Sequence, residues 1–366
     1  MIITGVFVLA FSFLLVYVFI LLKYIRQWNS TPDFSFYEST PKIPITVIIP
    51  FYNEEKTISK IVHSFLQQSL QKGSWNVLFV NDNSTDKSVE IISRLCEDRL
   101  KFKIINNDGL GKKTALTTGI NSVKEGLIVT TDADCSFSSD WLKTIAAYYS
   151  KHNPDMIIMP VVMTGGDSFW QEFQGTDFLA LQMVGAGAAL SGNPVLCNGA
   201  NLAFKKVEER VKLNEKYASG EDMFMLEWTK RKGRNIKYLK SKVVIAKTPG
   251  PETVKQLANQ RARWISKAGG YSDISIVLIS LLFFGVNLFQ LILLVAGLTN
   301  QVYMLLWLLF FILKTITDYS LISSGFQFFG TKTTSARFTL MQLIYPLYML
   351  FVSLYGILFS VKWKRK

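Results

Sequence analysis

The stretch "IPITVIIPFYNEEKTISKIVHSFLQQSL", from Ile43 to Leu70, contains the pattern that decides the fold. It begins with a short β-branched run that indicates a strand. Asn53 is placed to cap a helix, with Glu54 and Glu55 in the first turn. Apolar residues then recur at helical spacing. The stretch therefore predicts a strand, a loop and a helix, in that order.

The same pattern recurs along the next part of the chain. In "WNVLFVNDNSTDKSVEIISRL" an apolar strand ends at Asp82, and a polar segment leads into a second helix. "KFKIINND" and "GLIVTTDADCS" read as further strands, with the helical pattern of "KKTALTTGINSV" between them. Alternating strands and helices predict an α/β fold with a mostly parallel sheet and helices on both faces.

Four apolar blocks flank this region and predict transmembrane helices. Ile2–Leu22 carries no charge and is long enough to cross a hydrocarbon core of roughly 30 Å. We expect an uncleaved anchor rather than a signal peptide, because no basic segment precedes it and no small-residue cleavage site follows. The other blocks lie near Ile274–Leu298, Gln301–Ile322 and Phe338–Val361.

These blocks divide the chain into three predicted parts. We expect an N-terminal transmembrane anchor at 1–23, an aqueous domain at 24–272 and a C-terminal membrane domain at 273–366. Basic residues follow the first block and precede the second, so the positive-inside rule places the aqueous domain in the cytoplasm. The protein is therefore expected in the cytoplasmic membrane.

The net charge of +13 is explained by this bias and by attraction to anionic membrane lipids. No module that interleaves aromatic and basic residues is present, so we expect no nucleic-acid partner. Among the basic residues before the second block, Arg261 is expected to face lipid.

Four full crossings would return the C-terminus to the side where the chain begins, yet the final "VKWKRK" is basic and favours the cytoplasm. One late block could therefore be re-entrant or interfacial. The suspect is Gln301–Ile322, which Lys314 and Asp318 interrupt. The sequence leaves this alternative open.

The cysteines and histidines argue against several kinds of chemistry. Cys96, Cys135 and Cys197 are scattered without CxxC spacing, so they predict neither a zinc site nor a disulfide framework. His63 and His152 are isolated, which makes a histidine-based triad improbable.

The stretch "VTTDADCS" places Asp132 and Asp134 where a buried strand is predicted to end. Neighbours i and i+2 in a strand face the same side, so the two carboxylates would lie together and repel each other. A Mg²⁺ or Mn²⁺ ion would relieve that repulsion and could also bind a nucleotide diphosphate. The alternative is a strand-end turn with an aspartate that caps a helix.

Polar residues follow the strands three times: at Asn53 and Glu54, at Asp82 to Asp86, and at the aspartate pair. In open α/β sheets, ligands bind outside the carboxyl ends of the strands. The sequence therefore predicts one site where three loops converge.

Five motifs, in this order, resemble those of a known family: "IIPFYNE", "VNDNSTD", "TDAD", "SGED" and "QRARW". They are similar to the family 2 glycosyltransferases with a GT-A fold, particularly the membrane-embedded branch. That branch includes cellulose, hyaluronan and poly-N-acetylglucosamine synthases and ceramide glucosyltransferase. The resemblance covers roughly Ile43 to Lys267, and it implies an amphipathic QxxRW helix near 254–268.

The resemblance implies roles at the metal and the nucleotide. Asp134 would ligate Mg²⁺ or Mn²⁺, and Asp132 would lie near the ribose and the metal. Asp82 would accept a hydrogen bond from uracil, although the family usually has two adjacent acids here and this chain has Asn81 before Asp82. The alternative is an Asx turn, with Asp86 capping the next helix.

The resemblance also assigns Pro50, Tyr52, Asn53 and Glu54 to the wall of the uridine pocket. Glu54 could instead belong only to a helix start.

Lys112 follows two glycines and matches the basic residue of the family near the diphosphate. Lys113, beside it, could take the same role.

Asp222 would be the general base that takes a proton from the acceptor hydroxyl, with Glu221 beside it. A capping pair at a helix N-terminus is the alternative. The small-residue segment "CNGANLAF" would line the acceptor side, or serve only close packing.

Gln260, Arg263 and Trp264 share one helix face at spacings i, i+3 and i+4. The arginine could bind diphosphate oxygens, and the tryptophan could contact the acceptor sugar. An interfacial helix with a tryptophan anchor is the rival interpretation, and both can hold.

Together these features predict a metal-dependent, inverting glycosyltransferase. It would move a sugar from a nucleotide donor, expected to be a UDP-sugar, to a lipid or glycan acceptor at the cytoplasmic face of the membrane. One alternative is a processive polysaccharide synthase, which would need a tunnel built from several spans. An alternative of another class is a non-catalytic membrane binding or scaffold protein.

Overall fold

In the computed structural model the described residues are 2–35, 43–70, 74–97, 101–166, 168–209, 217 and 220–358. Ser219 of the "SGED" motif, the end of the last apolar block and the basic C-terminal stretch lie outside them. The described chain packs as two compact units. The sheet unit comprises Pro32–Thr164 and Leu196–Gly250, and the helical unit comprises Met1–Thr31, Gly165–Val195 and Pro251–Val361.

The elements alternate as the sequence predicts. The strands are β1 (Ile45–Phe51), β2 (Trp75–Asn81), β3 (Phe102–Asn106), β4 (Leu127–Thr130), β5 (Met156–Ile158), β6 (Val161–Thr164), β7 (Leu202–Lys205), β8 (Ile236–Tyr238) and β9 (Ala246–Pro249). The helices are α1 (Ile2–Ser30), α2 (Ile58–Leu66), α3 (Ser88–Leu95), α4 (Lys112–Ser122), α5 (Trp141–His152), α6 (Phe169–Leu190), α7 (Glu221–Arg231), α8 (Val254–Ile265), α9 (Ile274–Gly297), α10 (Gln301–Phe329) and α11 (Ser335–Leu358).

The sheet unit is built on a seven-stranded sheet with the order β3-β2-β1-β4-β7-β5-β8. Strands β1 to β4 run parallel, β7 runs antiparallel to both of its neighbours, and β5 pairs parallel with β8. A second, two-stranded sheet pairs β6 with β9. Side chains of β1, β2 and β4 are almost entirely buried, which explains why these strands are nearly continuous apolar runs.

The predicted start of the first helix in this unit is wrong. Helix α2 begins at Ile58, and the backbone N–H groups of Thr57 and Ile58 both donate to the carbonyl of Glu54. Asn53 does not cap the helix because its backbone is left-handed, with φ of 52°, and its side-chain oxygen accepts from the backbone of Thr85. The residues after β1 therefore form a turn, which leaves their polar groups at the edge of the sheet.

Within its described residues, the helical unit contains four helices that are long and apolar enough to cross a membrane. The candidate spans are Gly5–Ser30, Ile274–Gly297, Gln301–Phe329 and Ser335–Gly356. Helix α10 has 29 residues, a length of about 43 Å at the rise of an α-helix. Lys314 and Asp318 do not interrupt it, because the two side chains are buried and paired at 2.9 Å. The helix is therefore continuous through this block, and whether it crosses the membrane completely stays a prediction.

Helices α6 and α8 also belong to the helical unit, whereas the predicted aqueous domain at 24–272 included both. Gly187 of α6 lies so close to α1 that a Cβ atom would be 2.3 Å from the Cβ of Tyr24. Met183 of α6 packs in the same way against Gly325 of α10. The predicted domain boundaries themselves stay a prediction.

The expectation that Arg261 faces lipid is wrong. Its side chain is buried, its Nη2 lies 2.6 Å from the Oδ2 of Asp177, and its Nε donates to the hydroxyl of Tyr348. An arginine on this helix can be buried because a carboxylate of α6 compensates its charge.

A glycine in α4 tests how closely this helix packs on the sheet. At Gly119 a Cβ atom would lie 2.6 Å from the Cγ2 of Ile48. We expect Gly119→Ala to lower the melting temperature, because overpacking costs roughly 1–3 kcal/mol and exceeds the helix-propensity gain of about 0.5–1 kcal/mol. The control is Gly175→Ala in α6, where nothing lies within 4 Å. That variant should be neutral or slightly stabilised in thermal unfolding. Equal effects at the two glycines would contradict the packing argument.

Candidate functional site

The three predicted loops meet at one edge of the sheet. Strands β1, β2 and β4 are adjacent and parallel, so their carboxyl ends lie side by side, with Phe51 opposite Asn81 and Ile48 opposite Thr130. Pro50 lies within β1, and the partly exposed Tyr52 follows this strand directly. The edge therefore brings together the residues that the sequence assigned to a nucleotide pocket.

Hydrogen bonds join the loops after β1 and β2. The backbone N–H of Asn53 donates to the hydroxyl of Ser84, and its side-chain oxygen accepts from the backbone of Thr85. The backbone N–H of Glu54 donates to the hydroxyl of Ser88. Asn53 and Glu54 thus hold the two loops together. This structural role is compatible with the predicted contact between these residues and a nucleotide.

Asp86 lies just before α3, but the cap position of that helix is Lys87, not Asp86 as the sequence suggested. Its carboxylate accepts from the backbone N–H groups of Ser88 and Glu55. Burial tends to raise the pKa of Asp86, but hydrogen bonds from Ser88 and Glu55 outweigh it and lower the pKa below its ordinary value.

Asp82 is 2% exposed and organises the segment before α4. Its carboxylate accepts from the backbone N–H of Gly111, at 2.8 Å, and from the side-chain amide of Asn107, at 2.7 Å. Gly111 has φ of 99°, a conformation that favours glycine. Sequence reasoning missed Asn107 and the role of Gly111, although the glycine-rich "NDGLGK" was the visible signal.

Asp132 and Asp134 lie in a loop rather than in a strand, because β4 ends at Thr130. The strand-alternation argument is therefore wrong in its geometry. Their charges nevertheless interact. Burial, followed by the charges of Asp132 and Glu54, raises the pKa of Asp134 from 3.8 to about 7. Negative charge is crowded at this edge, as the sequence predicted.

Lys112 is a cation that lies among these carboxylates. Its Nζ donates to Asp132 and lies 3.8 Å from the Oε1 of Glu221. Burial alone would lower the pKa of Lys112, but Asp132 and Glu221 outweigh it and raise the pKa above its ordinary value. Lys113 instead donates to the carbonyl of Tyr217. The geometry therefore favours Lys112 over Lys113 as the cation of the site.

Glu221 and Asp222 form the first turn of α7, directly after Gly220. The Oδ2 of Asp222 accepts from the backbone N–H of Gly199 at 3.0 Å, and its Oδ1 accepts from that of Met223 at 2.8 Å. Glu221 is 5% exposed, and its Oε2 has no hydrogen-bond partner within the described parts of the chain. The two neighbouring carboxylates are thus held differently.

The segment "CNGANLAF" positions Asp222. The thiol of Cys197 donates to the backbone carbonyl of Asp222, in addition to the contact from Gly199. Asn201 is fully buried and bonds Trp141 and the carbonyls of Pro160 and Val244, which fixes the segment. The segment therefore holds a candidate base in place, and its contact with the acceptor stays a prediction.

Gln260, Arg263 and Trp264 lie on α8 of the helical unit. The Trp264 ring packs 4.3 Å from the guanidinium of Arg261 and 6.4 Å from the ring of Phe178. The Oε1 of Gln260 is buried without a hydrogen-bond partner in the described chain. Contacts of these three residues with the diphosphate or the acceptor stay a prediction.

The donor set at the sheet edge suits a hard divalent cation. Across the described ranges, no three His, Cys, Asp or Glu side chains are grouped to hold a metal by themselves. Mg²⁺ typically binds one or two protein carboxylates together with substrate phosphates. The surplus negative charge around Asp134 is the chemistry that such an ion would neutralise.

Comparison with known proteins finds similarity to the same family that the motifs resemble. Residues 46–210 match the model of glycosyl transferase family 2. A segment of 125 residues is 26% identical to the poly(ribitol-phosphate) beta-N-acetylglucosaminyltransferase TarS of Staphylococcus aureus, and covers 33% of this chain and 21% of TarS. A segment of 134 residues is 23% identical to the beta-monoglucosyldiacylglycerol synthase of Nostoc, and covers 36% of this chain and 29% of that protein. The aligned part of the chain thus spans only a minor part of these relatives.

Among solved structures, the mannosyltransferase PcManGT from Pyrobaculum calidifontis, in complex with GDP-Man and Mn²⁺, matches over 98% of both chains. Its TM-score is 0.61 and its identity is 16%. This likeness shows the fold. The predicted resemblance to family 2 glycosyltransferases is confirmed, as is the predicted GT-A fold with one N-terminal and three C-terminal apolar helices.

The charge crowding gives a prediction for Asp134. Because its pKa is raised to about 7, the folded protein binds this proton more tightly than the unfolded chain does. The free energy of unfolding therefore falls as pH rises from about 4 to about 7. We expect Asp134→Asn to stabilise the metal-free protein at pH 8. Its melting temperature should rise, and its free energy of unfolding should increase by up to about 4 kcal/mol. The increase should be smaller at pH 5. Thermal unfolding in chelator measures this.

Asp132→Asn is the matched control. Asp132 pairs with the partly buried Lys112, so its neutralisation should raise the melting temperature at the same pH by less than Asp134→Asn does. The relief of Asp134 is offset by the compensation that the cation loses. A loss of stability in Asp134→Asn at pH 8 would contradict the charge argument.

Proposed function

We propose, from the match of residues 46–210 to the model of glycosyl transferase family 2, that this protein is a membrane-anchored, inverting glycosyltransferase. It moves a sugar from a nucleotide donor to a lipid or lipid-linked acceptor. One observation carries the proposal. The carboxyl edge of the sheet holds a cluster of carboxylates whose negative charge is not fully compensated, together with Lys112 and the first turn of α7. Donor activation and proton removal need these two kinds of group.

The donor end of the site is the crowded edge. Asp134 and Asp132 would hold Mg²⁺ or Mn²⁺, which when bound supplies positive charge that stabilises a departing diphosphate. Lys112 supplies a further cation from the N-terminus of α4, where the bond between Asp82 and Gly111 fixes the preceding loop. Pro50, Tyr52 and the Asn53–Glu54 turn form the wall beside the nucleoside.

The acceptor end is Asp222. Its carboxylate takes the proton of the acceptor hydroxyl while the hydroxyl oxygen attacks the anomeric carbon and the bond to the diphosphate breaks. A single displacement of this kind inverts the anomeric centre. The N–H groups of Gly199 and Met223 hold the carboxylate in one orientation, so the base is positioned before the acceptor arrives.

The lipid nature of the acceptor is supported by the four apolar helices. The name of the Nostoc relative, a glucosyldiacylglycerol synthase, agrees with a lipid acceptor. We place the catalytic unit in the cytoplasm from the basic residues beside the apolar blocks. UDP is the expected nucleotide. GDP is the alternative, because PcManGT was solved with GDP-Man.

Asp222→Asn tests the role of the base. We expect kcat to fall by about 10² to 10⁴ fold because the acceptor proton loses its base, while calorimetry shows an unchanged Kd for the nucleotide sugar with Mn²⁺.

The control is Asp155→Asn. This carboxylate precedes β5 and bonds the backbone of Asn235, at the amino edge of the sheet because β5 runs in the direction of β4. The kcat of Asp155→Asn should match that of the parent protein. Near-normal turnover in Asp222→Asn would instead point to Glu221.

A turnover assay tests the identity of the donor, the number of sugars transferred and the need for a metal. With purified full-length protein in lipid, Mn²⁺ and a panel of UDP- and GDP-sugars, we expect one donor to be turned over, with one sugar added per acceptor lipid by mass spectrometry. Chelator should abolish that turnover. A ladder of long products would show a processive synthase, and unchanged turnover in saturating chelator would exclude the metal-dependent mechanism.

A further inference from the structure

A cavity of about 50 Å³, with several polar side chains in a mainly apolar wall, lies within the helical unit. Helices α1, α6, α9, α10 and α11 all contribute to its wall, and most of the lining is aromatic or aliphatic. The polar part of the lining is Tyr17, Thr176, Asp177, Asn287, Asp318, Gln342 and Tyr345. Polar groups are expensive inside transmembrane helices, so a cluster of this kind indicates a function.

The charged groups of the cavity are compensated. Asp318 accepts from Lys314 at 2.9 Å and from the hydroxyl of Tyr17. Asp177 lies 2.6 Å from the Nη2 of Arg261 and accepts from Tyr345 at 3.0 Å. Each carboxylate thus has its own cation and its own tyrosine, so the lining offers no uncompensated charge to a ligand.

Asn287 presents an acceptor that the protein does not use. Its side chain is 3% exposed, and its Nδ2 donates to the carbonyl of Phe283 at 2.8 Å. That bond fixes the amide orientation, because a flipped amide would set two oxygens against each other. The Oδ1 has no hydrogen-bond partner in the described chain. Leaving such an atom unsatisfied costs about 1–3 kcal/mol.

A second unused acceptor lies three residues further along α9. Gln290 is 3% exposed, and its Oε1 also has no partner among the described residues. Its Nε2 is directed at the backbone carbonyl of Gln342, at 3.4 Å. Pro346 has no N–H, so it leaves this carbonyl without its helical partner. The side-chain amide of Gln290 therefore takes the place of the missing helical donor.

We propose that the cavity binds the hydroxyl head of a neutral membrane lipid, whose O–H donates to the Oδ1 of Asn287. A phosphate group would set acceptor oxygens against an acceptor, and both cations are already paired. The volume admits about three or four atoms of water size, which matches a hydroxyl with its adjoining carbons. The site goes beyond the proposed function, because it requires neither a nucleotide sugar nor turnover.

Three probes that share the same acyl chains test the proposal: dioctanoylglycerol, its acetylated derivative and its phosphorylated derivative. Their binding to the full-length protein in detergent can be measured by native mass spectrometry. We expect dioctanoylglycerol to bind about tenfold or more tightly than the other two, the effect of one buried hydrogen bond. Equal binding of the three probes, as when water alone fills the cavity, would overturn the proposal, and so would preferred binding of the phosphorylated probe.

Asn287→Leu locates the site, and Ser280→Ala is its matched control. Ser280 is on the same helix and bonds the carbonyl four residues back, as Asn287 does, but it does not line the cavity. The first variant should lose the tenfold preference, and the control should keep it. A preference that survives in Asn287→Leu would overturn the assignment to this cavity. If that variant does not fold, Asp222→Ala decides between this cavity and the acceptor site of the proposed function. The tenfold preference should persist in Asp222→Ala, and its loss there would overturn the assignment to the cavity.

Discussion

The crowding of carboxylates at the carboxyl edge of the sheet is the constraint on which the rest of the sheet unit depends. Parallel strands end at the same edge, so the loops that follow them must share one small region. Asp134 keeps its charge there only against the penalty of burial and of its neighbours. Lys112 offsets part of that penalty by pairing with Asp132. The negative charge that is left uncompensated is the electrostatic basis for binding a metal ion together with a diphosphate.

The position of Lys112 depends in turn on a residue that carries no exposed charge. Asp82 is almost completely buried and binds the backbone N–H of Gly111, immediately before the lysine. A residue expected to read a nucleobase therefore also builds the loop that presents the cation. The two roles are compatible because a carboxylate accepts about four hydrogen bonds, and a substitution at Asp82 would disturb both at once.

The sequence predicted the elements of the sheet unit well because strand and helix periodicities are local properties. It failed where long-range hydrogen bonds decide the conformation. Asn53 has the composition of a helix cap, but its partner lies in the loop after β2. Arg261 has the appearance of a juxtamembrane charge, but its partner is Asp177 of α6. The anchoring of Asp222 by Gly199 likewise joins segments that sequence spacing does not connect.

The helical unit shows how the same chain handles charge without a water-exposed edge. Lys314 and Asp318 are one turn apart on α10, so they neutralise each other within a single helix, and Tyr17 and Gln342 satisfy further hydrogen bonds. Such pairing makes buried charges tolerable, but it does not explain why the Oδ1 of Asn287 has no hydrogen-bond partner among the described residues. Since a leucine, which has the same branching of heavy atoms, would avoid that cost, we explain the asparagine by the donor that the proposed lipid supplies.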